Sequence, residues 1–135
     1  MRGPEQILAE TRTIAVVGLS DKPDRTSHRI ASYLQQEGYR IVPVNPAIDE
    51  VIGEKSHPDL TSVTEPVDMV LVFRQSEEVL PIAKQAVAMQ AAALWTQDGI
   101  VNEDAAELAR ANGMDVVMDD CAYRWHRRLR SEGEL

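Results

Sequence analysis

A three-layer α/β arrangement around five parallel strands is predicted by three observations. Five short apolar runs recur along the 135 residues, each ending in a polar turn. Helical patterns separate most of them, and strands alternating with helices imply a parallel sheet covered on both faces. The first turn, Gly18 to Ser27, follows Thr13-Ile14-Ala15-Val16-Val17 directly and opens into a helical pattern. At such a strand-to-helix turn a parallel sheet usually meets a ligand phosphate.

The elements follow in order. Pro4 to Glu10 reads as an opening helix with Pro4 near its first position. Thr13 to Val17 is a β-branched run suited to a strand buried on both faces. Ser27 to Glu37 is helical, with Ile30 and Leu34 four apart on one face and Gly38 placed to end it. Arg40 to Val44 is the second strand. Pro43 has no N–H to donate to a central ladder, so it is expected at the strand's end. Ala47 to Val67 is irregular, broken by Gly53, Pro58 and Pro66; Asp59 to Val63 suffices for a turn or two of helix. Asp68 to Phe73 is the third strand. The next helix holds Val79, Ile82, Ala83, Ala86 and Met89 on one side, its regular part beginning close to Pro81. Ala92 to Thr96 is the fourth strand, and Asn102 caps the helix that Gly113 stops. Asp115 to Met118 is the fifth, and Asp119 or Asp120 caps a last helix reaching Leu129. Residues 131–135 are expected to fray. The expected fold is a single Rossmann-like domain over residues 1–135 with strand order 3-2-1-4-5, the chain reversing direction between the first and fourth strands.

Bulk properties narrow the function. The formal charge of −8 disfavours nonspecific nucleic-acid binding, which neutralises phosphates with Lys and Arg. The one basic run, Arg124 to Arg130, reads as a solvated helix face. No stretch approaches the roughly 20 apolar residues of a membrane span. Met1 to Gln6 lacks the apolar segment of a secretory signal, and Cys121 is the sole cysteine, so a cytoplasmic location is expected.

Ligands of parallel sheets bind beyond the carboxyl ends of the strands. That rule selects Gly18 to Arg25, Val44 to Pro46, Phe73 to Ser76, Thr96 to Gly99 and Asp119 to Cys121. In the first loop, Gly18 permits close main-chain approach, Leu19 follows it, Ser20 offers a hydroxyl, and Lys22 and Arg25 supply cations. A helix dipole alone contributes about 0.3–1 kcal/mol, so the cations are needed. A nicotinamide dinucleotide site ends its second strand with Asp or Glu for the ribose hydroxyls. Here Asn45 follows Val44 instead, which suits a ribose bearing a 3′-phosphate or merely begins a turn with Pro46. Phe73 and Arg74 end the third strand; Arg74 either meets a phosphate or base or pairs with Glu77 or Glu78. Ser76 sits in the same turn. Trp95 suits the core, whereas Gln97 and Gly99 are pocket candidates. Nucleophilic catalysis is poorly supplied: His126 lies five positions after Cys121, and no residue is spaced to orient such a pair. His28, His57 and His126 show no metal-ligand spacing.

Several spaced blocks, in order, resemble the small bacterial and archaeal CoA-binding domain proteins. They are Ile14-Ala15-Val16-Val17-Gly18-Leu19-Ser20 with Lys22-Pro23 and Arg25, Pro43 to Pro46, Val67 to Arg74, Trp95 to Asn102, and Val116 to Asp119 with Cys121 and His126 to Leu129. The resemblance implies the fold of the nucleotide-binding domain of the succinyl-CoA synthetase α subunit, without that enzyme's catalytic domains. It implies phosphates on the Gly18–Arg25 loop, adenosine near Asn45, and the rest of the coenzyme along Phe73-Arg74 and Gln97 to Gly99. Read from the residues alone, Cys121 is a thiol at a helix start that could meet the thiol of a bound coenzyme as a mixed disulfide. The last block departs from the family's Arg-Cys-Pro, reading Asp120-Cys121-Ala122, and acidic Asp98 follows Gln97. The expectation is a binder of coenzyme A or an acyl-CoA, with a homodimer conceivable and no nucleic-acid or membrane partner. The alternatives are an NAD(P)-linked or acyl-CoA-handling enzyme and a ligand-regulated interaction module.

Overall fold

The computed structural model describes residues 1–135. In chain order the elements are α1 (Pro4–Glu10), β1 (Thr13–Val17), α2 (Thr26–Gln36), β2 (Arg40–Val44), β3 (Glu50–Val51), β4 (Glu54–Lys55), β5 (Met69–Val72), α3 (Val79–Ala88), β6 (Ala93–Thr96), α4 (Glu103–Ala111), β7 (Asp115–Val117) and α5 (Ala122–Ser131). Short 3₁₀ turns at Leu60–Ser62 and Ser76–Glu78 complete it. β1, β2, β5, β6 and β7 form one parallel sheet; β3 and β4 make a small antiparallel hairpin. The α/β Rossmann-like class is as expected.

The order across the sheet is β2-β1-β5-β6-β7. Counting only the five core strands along the chain, this is 2-1-3-4-5. The third core strand, β5, lies beside β1, with Val16 opposite Leu71, and not outside β2 as the order 3-2-1-4-5 required. The handedness of crossovers explains the arrangement. α2 carries the chain from β1 outward to β2 and packs Ile30, Ala31 and Leu34 with Ile14, Val16 and Ile41. The return to β5 runs the other way, so a right-handed connection must use the opposite face. There Leu60, Val63 and Val67 do pack with Ala15, Val17, Val42 and Val44. α3 and α4 share this face through Val79, Ala83, Ala105 and Ala109, whereas α1 and α5 join α2. The reversal point therefore lies between β1 and β5.

Local chemistry sets the element ends. Pro43 lies inside β2, opposite Val16, and not at its end. β2 is an edge strand, and the Pro43 carbonyl points outward, accepting from His57 N–H at 3.0 Å; the missing donor faces away from the ladder. Pro81 occupies the first turn of α3, where an N–H has no helical partner. Asn102 Oδ1 caps α4 by accepting from Ala105 N–H at 2.9 Å. α5 is capped by Cys121, whose sulfur accepts from Arg124 N–H at 3.5 Å, and not by Asp119 or Asp120. Asp120 is committed elsewhere, accepting from Cys121 N–H and Trp125 Nε1. Beyond α5, Gly133 reverses the chain and Leu135 packs on the core. No helix is long and apolar enough to cross a membrane.

Candidate functional site

Three strand ends converge on Gly18. Its N–H donates to the Val44 carbonyl at 2.9 Å, and Phe73 N–H donates to Val17 at 2.9 Å. Its φ of +89° is left-handed, and a Cβ there would lie 2.9 Å from Arg74 Cδ and 3.0 Å from the Phe73 carbonyl oxygen. Both the turn and the close approach of β5 thus require glycine.

The loop after Gly18 is tied by its own polar groups. Leu19 is fully buried, so only its main chain faces the loop. Ser20 N–H donates to Ser27 Oγ at 3.0 Å, Lys22 N–H to Ser20 Oγ at 3.1 Å, and Arg25 N–H to the Lys22 carbonyl at 3.0 Å. No side chain caps α2, and the N–H groups of Thr26, Ser27 and His28 have no partner. Neither Lys22 nor Arg25 pairs with a carboxylate, although the chain is acidic overall. Gly18, Ser20, Lys22, Arg25, Thr26, Ser27 and Phe73 line a cavity of about 370 Å³. Main-chain donors, a helix N-terminus and two unpaired cations make it an anion site.

Asn45 shapes this loop. Its Nδ2 donates to the Leu19 carbonyl at 2.9 Å and its Oδ1 accepts from Ala47 N–H at 2.9 Å. Its side chain is therefore a strut between β2 and the first loop. No carboxylate stands in its place. On the other side of Gly18, a second cavity of about 340 Å³ is walled by Val17, Val44, Pro46, Leu60, Arg74 and Pro81 among others. Arg74 reaches across it to Glu78, at 2.7 Å, and this ion pair holds the Glu78 carboxyl below the usual range. Ser76 is turned away, its Oγ accepting from Val101 N–H and its carbonyl from Asn102 Nδ2, so it braces α4.

At the end of β6, Trp95 is fully buried and donates to the Asp120 carbonyl. Gln97 is only 5 % exposed, yet its Oε1 has no hydrogen-bond partner. Gly99 is less open than expected, because its N–H is taken by Asp119 Oδ1. Gln97 lines a third cavity, about 470 Å³, with Thr26, Arg29, Ile30, Asp98, Cys121 and Tyr123. The Arg124 guanidinium bridges Asp98 and Asp120 at 3.0 Å each and lowers the Asp98 pKa. Arg124 thus supplies, from one turn into α5, the cation that position 120 lacks. His126 does not line Cys121's cavity; it is buried against Tyr33 with Nδ1 2.7 Å from the phenol oxygen.

Gly18, Ser20, Lys22, Arg25 and Phe73 are therefore brought together; Val44 and Arg74 flank them; Gln97 lies further along; Leu19, Asn45, Ser76 and Gly99 act by shaping main chain. Sequence reasoning took Thr26 only as a start of the second helix and not as a site residue, although it borders both the first and third cavities, and did not name Tyr123. It also passed over Leu60 and Pro81, because their segments are not strand ends. Thr26 was the one with a signal, as the first residue of a helix at a phosphate loop.

Residues 12–127 match the CoA binding domain family. The chain belongs to that family. It is 44 % identical over 117 residues to the uncharacterized protein YneT of Bacillus subtilis, covering 87 % of each chain. A hypothetical protein from Pyrococcus horikoshii superposes with a TM-score of 0.91 at 31 % identity, covering 96 % of this chain and 93 % of that one. Apo acetyl-coenzyme A synthetase 1 of Ca. Korarchaeum cryptofilum matches at a TM-score of 0.67 and 25 % identity, over 77 % of this chain but 25 % of the synthetase. This CoA-binding domain protein thus corresponds to about a quarter of a much larger enzyme.

Proposed function

We propose that the protein binds coenzyme A or an acyl-CoA across the ends of β2, β1, β5 and β6, and that binding is its activity. The observation that carries this reading is the pair of unpartnered cations, Lys22 and Arg25, beside an uncapped helix and a glycine-pinned turn. Such a cradle suits the pyrophosphate. Val44, Leu60 and Pro81 give the second cavity apolar sides that suit the adenine; Asp59, Glu77 and Glu78 also line it, so only the position of Asn45 itself is free of a carboxylate for a phosphorylated ribose. Membership in the CoA-binding domain family supports the same ligand.

A thermal-shift panel of coenzyme A, acetyl-CoA, NAD, NADP, FMN and ATP tests it. Ligand at about 100 times its dissociation constant stabilises the fold by roughly 2.7 kcal/mol. A shift with the coenzyme and its acetyl ester alone supports the proposal. A shift with NAD replaces it with an oxidoreductase reading, and no shift with any replaces it with an interaction module.

A further inference from the structure

The opposite edge of the sheet holds a fourth cavity, of about 440 Å³, which lies outside the coenzyme crevice. It sits at the amino ends of β1 and β2, where α1 and α2 finish, and α5 forms its remaining wall. Its volume is in the range of small-molecule pockets. No atom stands within 4 Å of where a Gly38 Cβ would be, so the space beside that residue is open. Two polar side chains are buried at the wall with bonding capacity unused. Thr11 is 7 % exposed, and its Oγ1 has no partner. His126 is 3 % exposed, and its one hydrogen bond joins Nδ1 to the Tyr33 hydroxyl, leaving Nε2 free. Burial keeps the phenol protonated, and it has no other protein acceptor, so it donates to Nδ1 and the ring's own proton sits on Nε2. Buried polar groups are normally paired, so two open donors at one cavity point to a ligand that accepts from them.

Charge selects the ligand. Arg12, Arg40 and Arg130 line the cavity with one carboxylate, Glu37. Arg130 is paired with Glu37, and Arg40 with Glu54 and Glu65, whereas Arg12 has no ion pair. Asp68 is bound to the main-chain N–H groups of Arg12 and Thr13 and does not line the cavity. The carbonyl ends of α1 and α2 oppose an anion by about two- to fivefold each, whereas one charge-assisted hydrogen bond favours it by about ten- to hundredfold. A single free cation with two uncharged donors suits one negative charge spread over two oxygens, and not a phosphate dianion. The Tyr39 hydroxyl is taken by the Leu8 carbonyl, so Tyr39 presents its ring, and Leu8 and Leu135 add apolar sides. We propose that this cavity is a second binding site, for a small monocarboxylate with a short apolar tail. Arg12 pairs with the carboxylate, His126 Nε2 and the Thr11 hydroxyl donate to it, and the tail lies against Leu8, Tyr39 and Leu135. The site is separate from the coenzyme crevice and does not depend on what fills it.

Titration of the full chain with hexanoate, followed by amide and imidazole NMR shifts, tests this. Hexanoate should bind with a dissociation constant of about 1 mM and shift Thr11, Arg12, Gly38, Tyr39 and the His126 ring. Added coenzyme A should not displace it. Hexanamide and inorganic phosphate should each bind at least about tenfold more weakly. Arg12→Gln, at an exposed position, should weaken hexanoate by about tenfold or more with unfolding unchanged. Thr11→Val, close in shape, should weaken it by about two- to tenfold without loss of stability, since it removes an unpaired buried hydroxyl. No saturation by about 20 mM, equal affinity for hexanamide, or an undiminished response in Arg12→Gln would overturn the proposal. Shifts confined to Gly18–Arg25, or displacement by coenzyme A, would move the anion to the crevice and overturn it equally.

Discussion

The two ends of the crevice handle charge in opposite ways. Near β1, Lys22 and Arg25 stand without a carboxylate, in a chain whose acidic residues outnumber its basic ones by 22 to 14. Near β6, Arg124 is held by Asp98 and Asp120, and its guanidinium is pushed further towards the protonated form by those bonds. The first end is left with positive charge to spend on a ligand; at the second Arg124 is taken up by two carboxylates, beside an amide and a thiol. Arg74 stands between the two cases, bound to Glu78 yet pressed against Gly18. A ligand with phosphates at one end and a polar, uncharged arm at the other fits this gradient.

The contrast can be broken most severely at Gly18. Gly18→Ala places a methyl against the Phe73 carbonyl in a left-handed conformation, and should cost about 1–3 kcal/mol of stability in denaturant unfolding while abolishing coenzyme binding. Retained affinity would show that the turn is not part of the site. Next come the free cations. Arg25→Ala and Lys22→Ala should each weaken binding by roughly ten- to hundredfold, since a charge-assisted hydrogen bond contributes about 1.5–3 kcal/mol. Each should also flatten the salt dependence measured by calorimetry, with unfolding unchanged. Arg124→Ala should do much less, altering affinity for adenosine 3′,5′-bisphosphate by under about threefold, because exposed ion pairs contribute little. An effect as large as that of Arg25→Ala would erase the distinction between the two ends.

Much of this was legible in the sequence. Strand ends and glycines located the segments around Gly18, Val44, Phe73 and Gln97, because a parallel sheet allows its ligand only one edge, but not those of Leu60 and Pro81. The lateral order was not read correctly, although Pro43 carried the clue. A proline that cannot donate belongs on an edge strand, and an edge position for β2 rules out a third strand beyond it. Partner choice was the part hidden from sequence. Arg74 and Glu78 are four apart on one turn and were foreseeable, whereas Arg124 with Asp98 joins residues 26 apart. Asn45 chemistry was likewise decided by the Leu19 carbonyl, which sequence spacing does not place beside it.

The smallest predicted effect lies at the opposite edge of the sheet and serves as a control. Burial pushes the His126 pKa below its ordinary value of 6.5. Around that pH the unfolded chain therefore holds a proton that the native chain rejects. Stability is full above about 6.5 and declines as pH falls through that value towards the native one. Urea unfolding of the wild type should show this loss between pH 7.5 and 5.5, and His126→Gln should show less of it. Identical pH profiles would remove His126 as the cause. Coenzyme affinity should be indifferent to the substitution.

The outward position of Pro43 has one more consequence. The exposed rim of β2 offers no amide hydrogen at that residue, and the neighbouring Asn45 N–H and Pro43 carbonyl are already consumed by the segment around His57. Extension of the sheet by another polypeptide is therefore opposed along this half of the rim, which works against strand-swapped polymers and insoluble fibrils.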